Sequence, residues 1–99
     1  MYYLYIIRSL SSNIYYIGIS SDYMARLKLH NNSVFDKFTS KHRPWEFAAV
    51  FQVNGDKKDA LKIEKFIKKQ KSRTFIEKII STTEPLSGIL AQLVRISDC

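Results

Sequence analysis

The chain has 99 residues, a length that excludes a second independent core. Its 16 Lys and Arg against 9 Asp and Glu give a net charge of +7, which favours a polyanionic partner, nucleic acid before membrane. The one cysteine, Cys99, excludes an intrachain disulfide and a cysteine-based zinc site, and it suits a reducing, cytoplasmic setting.

Residues 2–9 (YYLYIIRS) are aromatic and β-branched and read as a strand. The apolar start is too short to span a membrane and is interrupted by Arg8, so it reads as a buried strand and not as a leader. Ser11-Ser12-Asn13 marks a turn, and residues 14–19 form a second strand that pairs with the first as an antiparallel hairpin. Ser20, Ser21 and Asp22 are all helix-capping types. They open a helix to about Asn31, with Tyr23, Leu27 and the neighbourhood of His30 on its apolar side. Residues 31–44 lack a regular period and read as an exposed loop that ends at Pro44 and carries the basic cluster Lys41-His42-Arg43.

Residues 45–53 (WEFAAVFQV) predict a third strand, Asn54-Gly55-Asp56 a turn, and residues 57–69 a helix. Ser72 caps a short helix through Ile80. Thr83-Glu84-Pro85 then suggests a fresh start, since Leu86, Ile89, Leu90, Leu93 and Val94 fall at helical spacing. The expected fold is α+β: a small three-stranded antiparallel sheet flanked by helices, in the order ββαβαα plus a C-terminal helix. Residues 1–81 would form the main domain and residues 82–99 a helical extension packed on it, whose apolar face also offers a homodimer contact.

Four groups of residues could carry chemistry. Tyr5 on the first strand can lie near Tyr16 on the second, with Gly18 beside them leaving room for close approach of a ligand. From the pattern alone, half-buried sheet tyrosines are the favoured reading, because strands are rich in Tyr. Arg26 and His30 are four apart and share a helix face; together they suit a phosphate, and taken alone the pair reads better as a solvated polar face. Glu64 interrupts the apolar stripe Ala60, Ile63 and Ile67. A carboxylate there is costly unless it binds a metal or pairs with a lysine. Finally, Lys65, Lys68 and Lys69, with Lys41 and Arg43 from the loop, belong to a basic population able to follow a phosphate backbone, and a solvated helix face would look much the same.

The segments YLYIIRS (3–9), YYIGIS (15–20), ARLKLH (25–30) and IEKFIKK (63–69), taken in this order and spacing, resemble the GIY-YIG nuclease superfamily. TSKHRPWEFAAVF (39–51) is similar to the small stand-alone branch of that superfamily, which itself resembles the N-terminal nuclease domain of the excision-repair endonuclease. The resemblance covers residues 2–80. It implies that Tyr5 ends the first motif and that Tyr16 with Gly18 forms the second. It further implies that Arg26 faces the scissile phosphate, that His30 is a polar residue one turn on, and that Glu64 binds the metal. The implied activity is metal-dependent endonucleolytic hydrolysis of a phosphodiester, in DNA ahead of RNA, during repair or processing, with one Mg²⁺ or Mn²⁺. The alternative is a non-catalytic nucleic-acid-binding module. Two departures stand out: Tyr3-Leu4-Tyr5 lacks the Gly and Ile of the first motif, and Phe38 stands where relatives often carry a tyrosine.

Overall fold

The computed structural model describes residues 1–32, 37–82 and 86–96. Strand β1 (Tyr2–Ser9) and strand β2 (Tyr15–Ser20) form the expected hairpin. Helix α1 (Tyr23–Asn32) and a short helix α2 (Lys37–Lys41) follow, and then strand β3 (Trp45–Val53). Helices α3 (Lys57–Lys69) and α4 (Arg73–Ser81) lead to a five-residue 3-10 helix (Gly88–Gln92) and a strand β4 (Leu93–Arg95). The sheet is antiparallel throughout, in the order β2-β1-β3-β4, so β1 is central and β2 is an outer strand.

Alternation along β1 builds two apolar layers. Leu4 and Ile6 point to one face, where Ala49, Phe51 and Val53 of β3 meet Ala60, Ile63 and Ile67 of α3 and Ile79 of α4. Tyr5 and Ile7 point to the other face and pack with Val50 and Trp45 beneath Tyr23 and Leu27 of α1. The helices are started by their sequences. Asp22 accepts the Ala25 N–H at 3.0 Å, and Asp56 and Asp59 form a reciprocal capping box at α3. Ser72 accepts the Phe75 N–H at 3.1 Å at α4.

Two expectations are corrected. The sheet has four strands where three were expected, and the predicted C-terminal helix is replaced by the 3-10 helix and β4. The free edge of β3 decides this. Val53 pairs with Leu93, the Asn54 N–H donates to the Gln92 carbonyl at 2.7 Å, and the Gln92 side chain returns a bond to the Asn54 carbonyl at 2.9 Å. Satisfying an open sheet edge outweighs a helical spacing of leucines. Gly88 takes a φ of +65, a left-handed turn that glycine makes at little cost, at the point where the chain redirects. Leu90 and Leu93 are buried in the chain's own core, with Leu86 and Ile89 partly buried against it and Val94 48% exposed. The Thr83-Glu84-Pro85 signal lies outside the described residues.

The stretch read as an exposed loop is likewise more ordered than its composition implies. It contains α2, and Thr39 is fully buried. The Trp45 indole donates to the Thr39 carbonyl at 2.8 Å. The Asn31 side chain accepts the Trp45 N–H at 2.7 Å and donates to the Trp45 carbonyl at 3.1 Å, so its amide acts as one rung of a ladder and ties the end of α1 to the start of β3. That tie fixes the helix turn on which His30 sits.

Candidate active site

The site is built where α1 covers one face of the hairpin. Tyr5 lies directly across from Gly18, and Ile7 across from Tyr16, so Tyr5 and Tyr16 share a face one diagonal step apart. Gly18 has a steric reason to be glycine. A Cβ there would overlap the Tyr5 hydroxyl and its ring carbon, because the Tyr5 side chain lies flat across that position. The Tyr5 hydroxyl then meets His30 Nε2 at 3.0 Å, a bond with both residues buried. The His30 ring packs edge-on against Tyr16, with centroids 4.9 Å apart. One imidazole from α1 therefore touches both tyrosines of the hairpin. Tyr16 itself is half-buried and remains in contact with solvent.

Arg26 stands one helical turn before His30, exposed, with its guanidinium close enough to hydrogen-bond the Tyr5 hydroxyl. Glu64 comes from α3, which packs on the opposite face of the sheet. Because β2 is an outer strand, side chains of α1 and α3 can converge around its free edge, and the Glu64 carboxylate acts electrostatically on Tyr5. The Glu64 side chain is only 19% exposed and pairs with Lys68 at 3.4 Å. The Lys68 ammonium in turn lies 5.7 Å from the centroid of the Tyr16 ring. Tyr5, Tyr16, Gly18, Arg26, His30 and Glu64, scattered over 60 positions of sequence, are thus gathered at one edge.

Burial raises the Tyr5 pKa above the ordinary 10.0, with the Arg26 guanidinium pulling the other way more weakly and Tyr16 and Glu64 adding to the rise. Tyr5 is therefore a neutral hydroxyl at physiological pH. The folded state holds this proton more tightly than the unfolded chain does. Its contribution to stability is fully present below pH 10.0 and is lost as pH climbs through the raised folded value. Tyr5→Phe should remove that part of the alkaline destabilisation. It should also cost about 1–3 kcal/mol at neutral pH, because the buried hydrogen bond to His30 Nε2 is lost. Urea unfolding at neutral pH and above pH 10 checks both parts; an unchanged alkaline slope would contradict the first.

The basic residues divide. Lys41, Lys65, Lys68 and Lys69 are exposed. Arg43, expected to face nucleic acid, is half-buried and uses Nη1 to donate to the Asn31 carbonyl at 2.8 Å and Nε to donate to the Ser40 carbonyl at 3.1 Å. It braces the α1–α2 corner. The direct Tyr5–His30 bond was not visible in the sequence, where the helix face showed only the Arg26–His30 pair. Asn31 was missed as well. The available signal was an asparagine in the last turn of α1.

A carboxylate and phenolic oxygens are hard donors, which suits Mg²⁺ or Mn²⁺. Among the described residues no three His, Cys, Asp or Glu side chains gather as a cage. That donor set fits an ion held by one carboxylate, its own waters and a substrate phosphate.

No helix among the described residues is long and apolar enough to cross a membrane. No curated protein matches the chain significantly. A family model described as the GIY-YIG catalytic domain matches residues 1–79, the segment that contains both tyrosines, the α1 pair and Glu64. With four-fifths of its length so matched, and with an antiparallel sheet flanked by helices consistent with that fold, the chain belongs to the GIY-YIG nuclease superfamily.

Proposed function

We propose that this chain is a metal-dependent endonuclease that hydrolyses phosphodiester bonds in DNA. The observation that carries the reading is the convergence, at the free edge of β2, of a solvent-contacting tyrosine, an exposed arginine and a shielded carboxylate in a chain of a nuclease family. A divalent ion held by Glu64 and waters would polarise the scissile phosphate and offset charge on the leaving oxygen.

The roles of the protein groups follow from their exposure. Tyr5 is 0% exposed, so its hydroxyl does not reach bulk water and it acts as a positioning residue. It receives support from His30 and lies beside Arg26. Tyr16 is the tyrosine that meets water, and it is the candidate to orient the nucleophile and take its proton. His30 buttresses Tyr16 by ring packing and holds Tyr5 by its hydrogen bond. Arg26, exposed on α1 beside the Tyr5 hydroxyl, offsets the negative charge that builds in the transition state. Lys65, Lys68, Lys69 and Lys41 supply the exposed positive surface along which the flanking phosphates run. A role in repair or processing is consistent with a small, basic nuclease domain.

Glu64→Ala tests the reading. Cleavage in Mg²⁺ or Mn²⁺ should fall to background, while salt-sensitive DNA binding and the thermal unfolding curve persist. Full activity in the variant would remove Glu64 from the site.

A further inference from the structure

A groove of about 560 Å³ opens along the free edge of β2 and adjoins the site. Its floor is apolar, with Ile17 and Ile76 among its lining residues, and Tyr15, Tyr16 and the half-exposed Phe38 supply aromatic surface. Lys68 and Lys71 stand at it, and among the described residues no carboxylate lines it. Tyr16 and Lys68 belong to both the groove and the catalytic cluster, so whatever fills the groove is continuous with the scissile phosphate. The Arg73 guanidinium, 4.9 Å from the centroid of Tyr15 and bonded to the Asn13 carbonyl and side chain, fixes the far wall to the hairpin turn.

Lys71 is a second, independent observation. It follows α3 with a φ of +49, the left-handed position that glycine normally fills at a helix C-terminus. Its N–H donates to the Lys68 carbonyl at 3.3 Å and so closes the helix end, while its exposed side chain delivers a cation to the groove.

We infer that this groove takes an unpaired nucleobase adjacent to the cleaved phosphate, so that the preferred substrate carries an unpaired nucleotide: a bulge, a flap or a single-strand junction. The inference rests on the nuclease reading. The volume lies in the range of roughly 300–1,000 Å³ typical of sites for small organic molecules. A base stacked in a regular duplex cannot enter an apolar slot, whereas an extruded or unpaired base can, and it stacks on aromatic side chains while the lysines meet its phosphates. The absence of lining carboxylates among the described residues fits a polyanion better than a peptide laid along the strand.

The test is fluorescence anisotropy in EDTA, which prevents cutting. The probes are a labelled duplex with one unpaired thymine, the same duplex with an abasic residue in its place, and the fully matched duplex, each prepared as DNA and as RNA. The unpaired thymine should tighten binding over the abasic probe by about five- to a hundredfold, the span expected of base–aromatic stacking. Phe38→Ala and Lys71→Gly should bring that ratio toward one, and Lys71→Gly should melt no lower than wild type because glycine relieves the strained φ. A base-dependent gain in either polymer supports the inference. Equal binding of thymine and abasic probes, whether the groove is idle or takes a peptide, overturns it and leaves the nuclease reading standing if metal-dependent cutting is observed. Absence of any metal-dependent cutting overturns the nuclease reading separately.

Discussion

Replacing Arg26 by alanine should lower the cleavage rate by about 10²–10³-fold, the size of effect seen when one preorganised group that stabilises transition-state charge is removed. The fold should survive, because Arg26 is exposed on α1 and belongs to neither apolar layer. Arg26→Lys should recover only part of the loss, since an ammonium keeps the charge but not the planar fork that grips two phosphate oxygens. The checking measurement is single-turnover cleavage of one DNA substrate beside the thermal unfolding curve of each variant. An Arg26→Ala protein that is folded and cuts at the wild-type rate would show that charge at the phosphate is met elsewhere.

Gly18→Ala should damage both stability and activity, and for one reason. The added methyl group would occupy the space now held by the Tyr5 hydroxyl and ring. Tyr5 has nowhere to retreat: it is 0% exposed, covered by α1 and bonded to His30. Forcing an extra carbon into such a packed position costs about 1–3 kcal/mol. The displaced ring would drag on His30, and His30 on Tyr16. A misplacement of about 1 Å at a catalytic group is enough to cost around 10²-fold in rate. The variant should therefore show a lower urea midpoint and a rate deficit that persists under conditions where it is fully folded. A variant that is stable and fully active would mean that Tyr5 does not lie across Gly18.

Much of this architecture was legible in the sequence because local pattern and tertiary demand agree there. The aromatic and β-branched run of β1, the alternation in β2 and the apolar stripe Ala60, Ile63 and Ile67 on α3 each describe the surface that the element buries. Glu64 stood out because it broke that stripe, and the structure finds it shielded and beside Lys68, so both readings of a carboxylate on an apolar face retain a physical basis. The parts that were not legible depend on partners distant in sequence. Leu93 and Val94 carry a spacing that fits a helix, and only the unpaired edge of β3 makes them a strand. The polar composition after α1 concealed an ordered corner because Asn31 and Arg43 satisfy backbone groups whose positions exist only after folding. The Tyr5–His30 bond joins residues 25 apart and requires the hairpin and α1 to be docked before it can form. Chemistry-bearing residue types could be picked out singly; which of the two tyrosines meets water could not, since that turns on burial by α1.

The measurement that tests the central claim most directly is a cleavage assay on the purified chain, with labelled duplex, junction and single-stranded DNA, in Mg²⁺ or Mn²⁺ against EDTA. The account predicts cutting that requires the metal, is absent in EDTA and is reduced by Tyr16→Phe more than by any surface lysine substitution. Folded protein that binds these DNAs in a salt-sensitive manner and cuts none of them in either metal would contradict it, and would leave the clustered tyrosines, arginine and glutamate as parts of a nucleic-acid-binding domain without catalysis.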